Sequence, residues 1–197
     1  MALDFQDKPV FITDSGDNVT SGATGWNTGI LRQVLQTETT KKFLFATICD
    51  PAAYQTLSAC KTGEELSFTL GVGFDELSSA VELDAVVKSS GNLTGFMMHD
   101  HTSVFGHCVN VHIKGTSIDI MVADTGWAVC ELHQFVSAGI DVDAYDVIVV
   151  KQGYIFPHFK AKGKLCVMSL TEGATLQDTA RLPFKRIMRP MFPIDDI

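Results

Sequence analysis

A chain of 197 residues and 21.4 kDa can bury a substantial core as one large domain or two small ones. At 46% hydrophobic and 19% charged it is globular rather than disordered, and a net charge of −8 leaves no basic face for nucleic acid. The start MALDFQDKP is polar and acidic and the apolar runs are far shorter than a membrane span, so the expectation is a cytoplasmic protein with no secretory signal and no membrane partner.

In chain order, Val10-Phe11-Ile12 is an apolar run of the kind that forms a buried strand. It passes into a loop rich in Asp, Ser, Gly, Asn and Thr, and leaves through Ile30, Leu31, Val34 and Leu35, spaced as an amphipathic helix. Phe43 to Ile48 predicts a second buried strand. Asp50-Pro51 then predicts a helix over 52–60, with Asp as N-cap and Pro at the first helical position. Leu66 to Leu70 and the alternating Val81 to Lys88 predict strands, the second closed by Ser89-Ser90-Gly91-Asn92. Val104 to Ile113, a Lys114-Gly115 turn, and Ser117 to Ala123 predict a hairpin. Glu131 to Ala138 predicts a short helix with Gly139 at its C-cap, and Asp146 to Lys151 a central strand. Lys164 to Leu170 predicts one more strand. The tail from Arg181, with three prolines and four basic residues, predicts an extended, wrapped segment. The fold expected is a single α/β domain over 1–197, with a mixed, partly antiparallel sheet flanked by helices.

The opening strand, polar loop and helix follow the order in which α/β proteins build sites at the carboxyl end of a strand. The loop gathers Asp14, Asp17, Asn18, Asn27 and the glycines Gly16, Gly22, Gly25 and Gly29. Its backbone N–H groups suggest an anion cradle, though it matches neither GxGxxG nor GxxxxGK[ST]; equally, its acids and amides suit turn and cap bonding. Lys151, at the end of a buried strand and followed by Gly153 and Tyr154, either places an ammonium beside an anionic group or snorkels to solvent. His99, Asp100, His101, His107 and His112 lie within fourteen residues and raise a zinc reading, with His99 and His101 as candidate ligands sharing a strand face and His107 and His112 facing opposite sides. No HExxH spacing accompanies them. The five cysteines are scattered, with no CxxC pair, and read as buried free thiols.

Four stretches together carry a family resemblance: DSGDNVTSGATGWNTGIL at 14–31, VIVVKQGYIFPHFKAKGK at 147–164, SLTEGATLQD at 169–178 and LPFKRIMRPMFPID at 182–195. With GVGFD at 71–75 and GID at 139–141, they resemble the carboxy-terminal domain of the MlrC family, the microcystinase-C-like proteins of the M81 metallopeptidases. Two departures stand out: Val19-Thr20-Ser21-Gly22 where many relatives have a proline and glycines, and Gln152 where many have a serine after the strand lysine. The resemblance implies an amino-terminal α/β domain, outside this stretch, that supplies the zinc ligands and the catalytic acid/base. No cofactor ligand in this chain follows from it. It also implies a peptide-like or small amide substrate, with a homo-oligomer possible. Asp14, Asp17, Asn18, Gly22, Lys151 and Tyr154 are then expected to line or support a cleft shared with that domain. The alternative from another class is a stand-alone small-anion-binding module using the 14–29 loop.

Overall fold

The computed structural model describes residues 2–197. Eight strands form one sheet: β1 (Val10–Asp14), β2 (Phe43–Cys49), β3 (Glu65–Leu70), β4 (Val81–Thr94), β5 (Val104–Ile113), β6 (Ile118–Ala123), β7 (Val147–Val150) and β8 (Leu165–Ser169). Their order is β3-β4-β5-β6-β2-β7-β1-β8. The stretch β6-β2-β7-β1-β8 is parallel, and β3-β4-β5-β6 extends it antiparallel. The expected α/β class and mixed sheet are what the chain builds. The apolar run Val147–Val150 is indeed central, wholly buried between β1 and β2, and the 104–123 hairpin forms with Gly115 at φ 76° in its turn.

Helices cover both faces. On one, α1 (Gly29–Leu35) and α2 (Pro51–Ser58) set Leu31, Ala53 and Leu57 against Val10, Phe43 and Phe45. On the other, α3 (Leu132–Ser137) and α4 (Pro157–Lys162) set Phe135 and Phe159 against Phe11, Leu44 and Ile148. Period-two alternation explains the division: in β1, Val10 faces the first layer and Phe11 the second, where its ring stacks on Phe159 at 4.8 Å. Asp50 caps α2 as predicted, accepting from the N–H groups of Ala52 and Ala53 at 3.1 and 3.0 Å. Its second oxygen accepts from Gly71 N at 2.8 Å, which ties the 71–80 connection to the carboxyl end of β2.

Two elements differ from expectation. The Ser89–Asn92 stretch does not end β4, which continues through a bulge at Val87/Ser89 to Thr94. The neighbours decide this: Asn110 donates to Ser89 Oγ at 2.8 Å, and a Cβ on Gly91 would lie 2.5 Å from the backbone of Ala138. Gly91 is there for the close approach of α3, not for a turn. Residues 157–162, with Pro157 at the first helical position, form α4, which sequence patterning left unassigned. Beyond a 3-10 turn at Thr179–Arg181, the described tail contains no helix or strand.

Candidate functional site at the carboxyl edge of the sheet

β1 and β7 are neighbours whose following helices pass to opposite faces, α1 to the first layer and α4 to the second. Such a switch point opens a crevice beyond the carboxyl ends of the two strands. Here the crevice is filled from within the chain. Lys151, at the end of β7, is 5% exposed, and its Nζ reaches Asp14 Oδ2 at 2.8 Å, Asp17 Oδ2 at 2.9 Å and the Asn27 carbonyl at 2.5 Å. Asp17 accepts in turn from Gly25 N at 2.9 Å and Asn27 N at 2.8 Å. Asp14 accepts from the Thr171 hydroxyl, whose oxygen accepts from Gly16 N at 2.8 Å. Burial pushes Lys151 toward its neutral form, but the carboxylates of Asp14 and Asp17 overcome that and hold its pKa above the ordinary lysine value. The lysine is an ammonium between two acids, and it does not snorkel.

Asn18 is the second organiser. Its backbone N–H donates to Thr175 Oγ1 at 2.9 Å, its side-chain oxygen accepts from Thr20 N at 3.1 Å, and its Nδ2 donates to Ser21 Oγ at 2.7 Å. Gly22 follows at φ 97°, the left-handed cap of the 3-10 turn Val19–Ser21. The N–H groups of Gly16, Asn18, Val19, Thr20, Gly25, Asn27 and Thr28 therefore all have protein acceptors, which leaves the anion-cradle reading short of donors. Of the predicted residues, Asp14, Asp17 and Lys151 converge, Asn18 adjoins them, and Gly22 serves only the turn. Tyr154 is 76% exposed and makes no hydrogen bond to them. Thr171 and Thr175 complete the cluster and were not singled out by sequence; they bond across about 157–160 positions of chain, which no local spacing signals. Beside Asp14 opens a cavity of about 460 Å³, lined among others by Asn27, Arg32, Ser169, Thr171 and Glu172.

The histidines are not arranged as predicted. His99 and His101 lie in the turns of the 95–103 connection rather than on a strand. His107 and His112 do sit on opposite faces of β5, each beside its own acid: His107 Nδ1 is 3.0 Å from Asp124 and His112 Nδ1 is 2.7 Å from Asp119. His101 instead meets two residues that sequence reading passed over, Glu131 and His133 at the start of α3, with its ring stacked on that of His133 at 4.4 Å. The cysteines are all free, with Cys49, Cys108 and Cys130 buried. Burial, then the nearby acids Asp50, Asp124 and Asp17, raise the Cys49 thiol to about 11, so it is no nucleophile.

The family model for the MlrC C-terminus matches residues 12–186, nearly the whole chain. The chain belongs to the MlrC C-terminus family. A solved structure described as "Putative metallopeptidase from Mesorhizobium sp. BNC1" superimposes with a TM-score of 0.75 at 18% sequence identity, a likeness of fold. It covers 96% of this chain but only 38% of that one, so the sequence corresponds to well under half of the structure it resembles. A search among curated proteins found no match. No helix among the described residues is long and apolar enough to cross a membrane.

Proposed function

We propose that this MlrC C-terminal domain completes the substrate cleft of a zinc metallopeptidase or amidohydrolase, stabilises the catalytic domain, and is silent by itself. One observation carries the reading. At the carboxyl edge the cluster of Asp14, Asp17 and Lys151 is buried and paired within the chain, while Leu170, which lines the cavity beside Asp14, and Phe74 and Tyr154 are exposed. A rigid charged centre with an apolar fringe suits a wall that another domain covers, and ligand sites favour such boundaries. Asp14 and the cavity beside it then face the substrate, and Lys151 with Asp17 and Asn18 hold that wall in shape. The zinc of the amino-terminal domain would supply an activated water for attack on an amide.

The test uses a full-length relative and its two halves expressed separately. The amino-terminal half alone should lose most of its kcat/KM for an amide substrate and regain it when this chain is added. Replacing Tyr154 and Leu170 together by Ala should weaken that rescue without changing this chain's melting temperature. An amino-terminal half as active alone as in the intact protein would overturn the reading, as would amide hydrolysis by this chain alone.

A further inference from the structure

The cluster at the start of α3 shares no residue with the Lys151 centre, and nothing in the proposed cleft uses it. Glu131 Oε2 lies 3.5 Å from His101 Nε2 and 3.3 Å from His133 Nδ1, and these ligand atoms all fall within 4.8 Å of one another. The other ring nitrogen of His133, Nε2, is 2.9 Å from the Gly95 carbonyl, which can only accept. Nε2 therefore carries the proton, and in the neutral ring Nδ1 turns its lone pair on the carboxylate. Two electron-rich atoms at that distance repel unless a positive charge lies between them. Glu131 Oε2 is itself buried and has no hydrogen-bond donor among the described residues, while Oε1 accepts from Met97 N at 3.3 Å. An orphaned carboxylate oxygen is costly to bury, so something must satisfy it.

We propose that His101, Glu131 and His133 bind a borderline divalent cation of the zinc type. Ligand bonds of about 2.0–2.2 Å in a tetrahedral site place donor atoms about 3.3–3.5 Å apart. Both distances to Glu131 Oε2 match that spacing, and the half-exposed His101 ring, now stacked on His133, must turn out of the stack for both lone pairs to meet one ion. The Gly95 carbonyl plays the outer partner that orients a metal-bound imidazole. With His101 half-exposed, the fourth position opens to water. The ion would pin the 95–103 connection to the start of α3. This inference is independent of the cleft reading, because it concerns binding by this chain alone.

The experiment is titration of the metal-stripped chain with Co²⁺ followed by displacement with Zn²⁺, read by visible absorption and calorimetry. Expected are one equivalent bound with the intense d–d bands of a tetrahedral site, and slower proteolysis of the 95–103 connection when loaded. Glu131→Gln and His101→Ala should each weaken binding by more than the roughly 10–100-fold that loss of an outer partner costs. His107→Ala should change nothing. His101 is half-exposed, so its variant stays folded even if Glu131→Gln does not. Absence of saturable binding, or binding unchanged in His101→Ala, would overturn the site and leave a protonated His133 as the group that satisfies Glu131.

Discussion

Replacing Lys151 by Met tests the charge cluster directly. The methionine fills similar volume but removes the cation, leaving Asp14 and Asp17, each within 3 Å of Nζ in the native chain, buried without their partner. Deleting one partner of a buried pair costs about 3–5 kcal/mol, which for a chain of this size lowers Tm by about 6–20 °C. Equilibrium urea melts and thermal scans at neutral pH measure it. The variant Lys151→Met combined with Asp14→Asn and Asp17→Asn should recover much of the loss, because it takes away the uncompensated charges together with the cation. A single Lys151→Met variant within about 1 kcal/mol of the parent would refute the reasoning, since that is the range of an exposed pair.

The pH dependence has a definite sign. The folded pKa of Lys151 is raised, so its contribution is fully present below the ordinary lysine value of about 10.4 and is lost only as pH rises through the higher folded value. Stability scans should show this component as an alkaline loss that is absent in Lys151→Met. Gly16→Ala places a Cβ 2.2 Å from the Glu172 carbonyl oxygen, whereas Gly29→Ala meets nothing within 4 Å at the start of α1. Urea melts should show the first destabilised by about 1–3 kcal/mol or more and the second neutral or stabilised by up to about 1 kcal/mol. Asp50→Ala removes acceptors from Ala52, Ala53 and Gly71, and should cost at least the roughly 0.5–2 kcal/mol of a lost N-cap in the same assay. Burial raises the thiols of Cys49 to about 11 and Cys108 to about 12, and Cys130 further still. A chromogenic disulfide reagent at pH 8 should therefore label Cys60 and Cys166 first, and the other three only on unfolding.

Where local chemistry decided an element, the sequence was readable. Asp50-Pro51 starts a helix because both the cap and the proline act within a few residues, and Gly139 at φ 74° closes the helix before it for the same kind of reason. Val147–Val150 is central because only a strand covered on both faces can be apolar throughout. Ser89–Asn92 misled because turn-forming residues yielded to a partner strand and to the approach of α3. At the site, the polar richness of the 14–29 loop and the place of Lys151 at a strand end were legible, but not that Lys151 pairs with Asp14 and Asp17, since that depends on β7 lying beside β1. His133 and Glu131 carry no signal in the sequence because their partner His101 is thirty-two and thirty residues away on another connection, with no spacing that links them.

The bonds that close the charge cluster also fix when it can form. Asp14 joins Lys151 across 137 positions and Thr171 across 157, while Ser15 is held by Thr175 across 160. During synthesis the first strand leaves the ribosome long before any of these partners exist, so Asp14 and Asp17 stay hydrated until Lys151 follows, and one edge of β1 stays unpaired until β8 does. Contacts this distant in sequence slow folding, because the chain must close its longest loops before the centre rewards it. Truncation before residue 165 should therefore leave a chain that keeps Lys151, Asp14 and Asp17 but lacks the Thr171 and Thr175 bonds that close the cluster, and that presents β1 to other chains as an open edge.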